Sequence, residues 1–120
     1  MKKKLLVVEK NKDIVEILDY ILSTEGYEVE VLRDPENLEN YVRHYKPHAI
    51  ILDVIVVKSS ATDVCKNLKK NVSTSNIPII VITTDSQVSA VIKEICADEV
   101  IDKPFDIYTL LETIENQLAA

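Results

Sequence analysis

Short strand-like segments alternate with stretches of helical spacing along this 120-residue chain, and this alternation restricts the possible folds more than any other feature. The strand-like segments lie at residues 5–8, 28–31, 49–53, 77–83 and 100–101, and apolar residues recur at helical spacing over 14–22, 38–45, 64–71, 88–95 and 107–118. Nearly continuous apolar strands are buried on both faces. The pattern predicts an α/β domain, a doubly wound five-stranded parallel sheet with helices on both faces.

Local signals predict where several helices begin and end. Asn11 stands where an N-cap is expected, and Gly26 stands where the first helix should end. Asp34-Pro35 predicts the opening of the second helix, with proline at its first position, and Pro47 predicts its end.

Composition excludes several classes of protein. The chain has a single glycine, where average usage would supply roughly eight. Nucleotide-binding loops of the G-x-G-x-x-G or G-x-x-x-x-G-K type are therefore impossible. The apolar fraction of 47% is too high for a disordered chain. We expect residues 1–120 to form one domain.

Charge, cysteines and the amino-terminal segment predict a cytoplasmic protein. A net charge of −6 argues against a nucleic-acid-binding surface. The first apolar run stops at Glu9-Lys10, which is too short for a membrane span or a signal peptide. Cys65 and Cys96 are far apart and have no histidine near them. Two buried free thiols in a reducing compartment are expected, without a disulfide or a zinc site.

Chemically useful side chains follow the predicted strands at their carboxyl ends. They are Glu9 and Lys10 after the first strand, Asp53 at the end of the third, Thr83 at the end of the fourth and Lys103 after the fifth. In parallel sheets these ends line one crevice. A carboxylate flanked by a hydroxyl and an ammonium suits aspartyl phosphorylation, because the carboxylate attacks phosphorus while its neighbours stabilise charge on the phosphoryl oxygens.

Four motifs in this order resemble the receiver domain of bacterial two-component response regulators over essentially the whole chain. They are Leu6-Val7-Val8-Glu9-Lys10, Ile51-Leu52-Asp53-Val54, Val81-Ile82-Thr83-Thr84 and Asp102-Lys103-Pro104-Phe105. The resemblance implies a flavodoxin-like fold with strand order 2-1-3-4-5. It further implies that Asp53 accepts a phosphoryl group from a histidine kinase or phosphotransfer protein, that Lys103 pairs with Asp53, and that Thr83 moves to contact the phosphoryl group.

The same resemblance implies a magnesium site and a switch region. Mg²⁺ would be held by Glu9, the carboxylate of Asp53 and the backbone carbonyl of Ile55. Thr84, after the switch hydroxyl, and Val100, at the aromatic switch position of the fifth strand, would complete the switch region. A downstream protein would bind the face formed by the fourth helix, fifth strand and fifth helix. The implied function is signalling through a conformational change, without enzymatic activity of its own and without nucleic-acid or membrane binding by this domain.

Several residues depart from the family's pattern. Lys10 stands where a second carboxylate usually ligates the metal, and an ammonium cannot serve as a ligand. Val57 and Ala61 replace a proline and a glycine of the acceptor loop. Thr84 is larger than the usual residue, Val100 replaces an aromatic switch residue, and Cys96 replaces a glycine.

Lys10 allows two interpretations. In the first it points to solvent and merely weakens the magnesium site. In the second its ammonium lies beside Asp53 and Glu9 and supplies part of the cation's charge. The second interpretation favours an alternative function, a phosphorylation-independent pseudo-receiver that acts as a protein-interaction module.

Two other functions on similar folds are excluded. A haloacid-dehalogenase-type enzyme needs a second aspartate two residues after the first, and Ile55 occupies that position. A flavodoxin-like flavin carrier needs a hydroxyl- and glycine-rich loop after the first strand, where this chain has Glu9-Lys10-Asn11-Lys12.

Overall fold

The computed structural model describes residues 2–33, 37–53, 61–83 and 97–119, and these ranges hold five strands and four helices. In chain order the elements are β1 (Lys4–Val8), α1 (Lys12–Thr24), β2 (Glu28–Leu32), α2 (Leu38–Tyr45), β3 (Ala49–Asp53), α3 (Ala61–Lys70), β4 (Ile79–Thr83), β5 (Glu99–Asp102) and α4 (Ile107–Ala119). The helix predicted over 88–95 lies outside the described residues.

The strands form one parallel sheet in the order β2-β1-β3-β4-β5, which confirms the predicted topology. The three central strands carry the most apolar segments. Every residue of β3 and β4 is buried, as expected for strands that are covered on both faces.

Successive residues of each strand pack on opposite faces of the sheet. On β1, Leu6 and Val8 belong to the core under α2 and α3, whereas Leu5 and Val7 belong to the core under α1 and α4. The alternation follows from the two-residue period of a strand. In the described part of the chain, two separate apolar cores thus lie between the sheet and two pairs of helices. The carboxyl ends of the strands form one edge of the sheet.

Helix ends agree with the sequence at α1 and differ at α2. The side chain of Asn11 accepts hydrogen bonds from the backbone N–H groups of Asp13 and Ile14, at 2.9 and 3.2 Å, and Gly26 adopts φ 95° after the helix. α2 begins at Leu38, later than the expected opening at Asp34-Pro35, which lies outside the described residues. Asn37 has φ 62°, a left-handed conformation that asparagine tolerates and that interrupts a helix.

Cys65 requires a correction as well. It is wholly buried on α3, as expected, but it is disulfide-bonded rather than a free thiol. The other cysteine, Cys96, lies outside the described residues. The expectation relied on separation along the chain, and in a doubly wound fold residues distant in sequence lie on neighbouring elements.

Within the described ranges, no helix is both long and apolar enough to cross a membrane.

Candidate functional site

Three of the predicted site residues are polar side chains buried at the carboxyl edge of the sheet. Glu9 follows β1, Asp53 ends β3 and Thr83 ends β4, and they are only 4%, 3% and 2% exposed. Burial of polar groups is costly unless they are paired. Their concentration at one edge, beside two apolar cores, therefore marks this edge as the candidate site.

Lys103 supplies a cation to the carboxylate of Asp53. Its Nζ lies 2.6 Å from Oδ2 of Asp53, and the two side chains are 20% and 4% exposed. The lysine is positioned by its backbone, because its N–H donates a 2.7 Å hydrogen bond to the carbonyl of Thr83. The peptide bond that follows, Lys103-Pro104, is cis. The structure thus brings Asp53, Thr83 and Lys103 together at one edge of the sheet, as the sequence predicts.

Glu9 forms a carboxyl pair with Asp53. Burial, followed by the hydrogen bond and the negative charge of Asp53, raises the pKa of Glu9 to about 8, against the lowering effects of Lys103 and the backbone N–H of Asn11. Glu9 is therefore mostly protonated at neutral pH and donates a hydrogen bond to Asp53. A bound cation would displace this proton.

Lys10 lies at the same edge but is exposed. Among the described residues it forms no ion pair with Glu9 or Asp53, and the ammonium that contacts Asp53 is that of Lys103. This arrangement corresponds to the first of the two interpretations drawn from the sequence.

Arg33 is a site neighbour that the sequence reasoning missed. Its Nη2 donates a 2.9 Å hydrogen bond to the backbone carbonyl of Lys10, and the N–H of Glu9 donates to the carbonyl of Leu32 at 3.2 Å. These contacts fix the backbone of the β1–α1 connection against the end of β2. The position of Arg33 in the sequence could have indicated its role, because it directly follows β2 at the carboxyl edge of the sheet.

The remaining predicted residues divide into two groups. Val100 is half-buried on β5 and packs against the core under α2 and α3, and it pairs in register with Val81 of β4. Thr84 and Ile55 lie outside the described residues.

The side chains available as metal ligands at this edge meet only part of what a magnesium site requires. Glu9 and Asp53 offer the carboxylate oxygens that Mg²⁺ prefers. In the described part of the chain, however, no three His, Cys, Asp or Glu side chains are arranged to hold a metal ion, and position 10 offers an ammonium in place of an oxygen.

Comparison with known proteins gives the family. Residues 5–115 match the family profile described as the response regulator receiver domain. This chain therefore belongs to the receiver domain family of two-component signalling, whose members are signalling modules.

Solved structures agree with the fold. A protein described as a response regulator from Chloroflexus aurantiacus is 26% identical over the whole of both chains, with a TM-score of 0.91. The receiver domain of a signal transduction histidine kinase from Syntrophus aciditrophicus is 27% identical, covering 98% of this chain and 90% of that one, with a TM-score of 0.87. The receiver domain of a sensor histidine kinase from Pseudomonas aeruginosa, with a magnesium ion coordinated in its active site cleft, is 17% identical over both whole chains, with a TM-score of 0.88.

Proposed function

We propose that this receiver domain, spanning residues 1–120, accepts a phosphoryl group on Asp53 from a phosphohistidine of a histidine kinase or phosphotransfer protein. The observation that carries the proposal is the buried carboxylate of Asp53 with the ammonium of Lys103 at 2.6 Å. A carboxylate oxygen attacks phosphorus, and the P–O bond forms as the P–N bond breaks. The electron pair of the P–N bond returns to the imidazole nitrogen, which takes a proton from solvent in place of the phosphoryl group.

Two neighbours stabilise this transfer. The ammonium of Lys103 orients the attacking carboxylate and then binds a phosphoryl oxygen, since a charge-assisted hydrogen bond is strong in a water-poor site. The hydroxyl of Thr83, with Thr84 beside it, contacts the phosphoryl group after transfer. Movement of Thr83 also reaches Lys103, whose N–H binds its carbonyl, and β5 then relays the change, with Val100 in place of an aromatic residue.

Magnesium has a restricted place in this proposal. Glu9 and Asp53 would hold the ion, together with the backbone carbonyl of Ile55, once the proton of Glu9 has left. When bound, the ion neutralises charge on the phosphoryl oxygens. The positive charge of Lys10 lowers the affinity of this site.

We propose that the domain acts in the cytoplasm by binding a downstream protein. It has no enzymatic activity of its own and binds neither nucleic acid nor membrane. The partner surface consists of the helix predicted over residues 88–95, strand β5 and helix α4. In the described part of this surface, a cavity of about 360 Å³ lies between β5 and α4, and its lining includes Val100, Phe105 and Thr109. The kinase and the downstream protein bind different parts of the domain. The kinase binds near Asp53, and the downstream protein binds this surface.

Phosphoryl transfer is tested by incubating the chain with acetyl phosphate, with and without Mg²⁺, and measuring intact mass. We expect one added phosphoryl group in the wild type and none in Asp53→Asn, with a standard receiver treated in parallel. Absence of the adduct in both conditions, while the standard receiver is labelled, overturns the proposal. It would favour the alternative function, a phosphorylation-independent pseudo-receiver.

A further inference from the structure

We propose that the ammonium of Lys10 binds the phosphoryl group carried by Asp53 and takes over the charge that receivers obtain from a divalent cation. The inference rests on the proposed function and extends it, because it makes phosphoryl binding by this chain independent of Mg²⁺. Lys10 would then be a phosphoryl-binding residue at a position where its family places a metal ligand.

The backbone of Lys10 is fixed while its side chain is not. Its carbonyl accepts a 2.9 Å hydrogen bond from Arg33, and the next residue, Asn11, caps α1. Its side chain is exposed, and within the described ranges its ammonium forms neither a hydrogen bond nor an ion pair. The flexible stem of a lysine allows such an ammonium to turn toward a new anion without moving the chain.

Neighbouring strands bring position 10 close to Asp53. β1 and β3 are adjacent, with Val8 in register with Leu52, and adjacent strands are separated by about 4.8 Å. Glu9 already contacts Asp53 through its carboxyl group. Lys10 is the next residue, so a phosphoryl group that extends from Asp53 beyond the sheet edge enters the region that the ammonium of Lys10 can reach from its fixed backbone.

Charge balance at this edge favours the lysine over a dication. The single negative charge of Asp53 is matched by the ammonium of Lys103. Phosphorylation replaces the single negative charge of Asp53 by about two, a gain that calls for additional positive charge. Lys103 is already committed to Asp53, whereas Lys10 has no partner among the described residues. The ammonium of Lys10 supplies the one further positive charge that this gain requires, whereas a bound Mg²⁺ would add two.

The test uses beryllofluoride, an anion that mimics the phosphoryl group, and the whole chain in buffer with EDTA or with Mg²⁺. Binding is followed by NMR shifts of Thr83 and Lys103, and acetyl phosphate provides a parallel measurement of the adduct. We expect the wild type to bind beryllofluoride in EDTA. Lys10→Ala should lose affinity roughly tenfold in EDTA, as for the loss of one charge-assisted hydrogen bond.

Lys12→Ala is the matched control, because it removes an equal charge from an exposed lysine two positions away, and it should bind as the wild type does. Strict dependence of the wild type on Mg²⁺ overturns the inference and leaves the proposed function standing. Equal affinities of wild type and Lys10→Ala in EDTA overturn it too. Failure of the wild type to bind or to form an adduct in either buffer overturns the proposed function itself.

Discussion

The ammonium of Lys103 and the carboxylate of Asp53 are joined at 2.6 Å across 50 residues of sequence. The pair bridges the ends of β3 and β5, with β4 between them, and the backbone N–H of Lys103 is bonded to the last residue of β4. One lysine therefore contacts Asp53 through its side chain and the end of β4 through its main chain. We expect a change in the charge of Asp53 to affect β4 and β5 together.

Replacing Lys103 by methionine is expected to destabilise the fold and abolish phosphoryl transfer. The substitution leaves the buried carboxylate of Asp53 without its cation. The expected loss is about 2–3 kcal/mol, below the cost at a fully buried pair because the ammonium is 20% exposed. Urea unfolding measures the loss.

The control is a double-mutant cycle with Asp53→Asn, which removes the charge that Lys103 compensates. In that background Lys103→Met should cost much less. Equal losses in the two backgrounds would show that the lysine stabilises the fold through packing and not through Asp53.

Stability should fall with rising pH because of Glu9. Its pKa is raised from an ordinary 4.5 to about 8 in the folded chain, so the folded state holds a proton that the unfolded state releases. This contribution is fully present below pH 4.5 and is lost as pH rises through about 8. The slope contributed by a single group cannot exceed about 1.4 kcal/mol per pH unit.

Glu9→Gln keeps an uncharged hydrogen-bond donor beside Asp53 and removes the titration. In urea unfolding with EDTA between pH 5 and 8, the free energy of unfolding of this variant should vary less than that of the wild type. Glu16→Gln, at an exposed carboxylate of α1, serves as the control and should keep the wild-type slope. A wild-type slope in Glu9→Gln would contradict the shared proton.

Lys10→Asp should create a stronger magnesium site. It adds an oxygen ligand beside Glu9 and Asp53 and removes a positive charge, so the affinity for Mg²⁺ should increase by at least about tenfold. Calorimetric titration measures the change. Lys12→Asp is the control, because it changes the charge by the same amount but does not place a carboxylate at position 10, directly after Glu9. If both variants gain affinity equally, long-range charge rather than coordination controls the site.

The fold was predictable because its determinants are local and repeated. Buried strands such as β3 and β4 are recognisable from their continuous apolar composition, and the cap at Asn11 follows from one side chain and the next two N–H groups. The start of α2 was not predictable in this way. Asn37 has a left-handed conformation, which asparagine tolerates but does not require, so its identity alone does not predict an interruption of the helix.

The candidate site shows a similar division. Strand ends indicate that Glu9, Asp53, Thr83 and Lys103 lie at one edge, because the order of parallel strands determines this. The shared proton of Glu9 depends on burial and on an approach to Asp53 that no spacing encodes. The direction of the Lys10 side chain and the bond from Arg33 are likewise tertiary properties, and so is the disulfide bond of Cys65.

His48 gives an opposite pH dependence at the far edge of the sheet. Its Nδ1 accepts a 2.9 Å hydrogen bond from the N–H of Lys4, and its pKa is lowered by burial and by the charges of Lys3 and Lys4. Protonation removes this acceptor. The stabilisation is therefore present above the ordinary pKa of 6.5 and is lost as pH falls through the lower value in the folded chain.

His48→Asn offers an amide oxygen to the same N–H and does not titrate, so its stability should be less sensitive to acid than that of the wild type. The free energy of unfolding between pH 7 and 5, with NMR titration of the imidazole, measures the effect. His44→Asn is the control, because His44 is exposed on α2 and its Nδ1 lies 2.7 Å from the carbonyl of Asn40, an acceptor to which a protonated ring can donate. If the acid sensitivity disappears in His44→Asn and persists in His48→Asn, it arises from His44 and not from His48. That outcome would contradict the role of the hydrogen bond between Lys4 and His48.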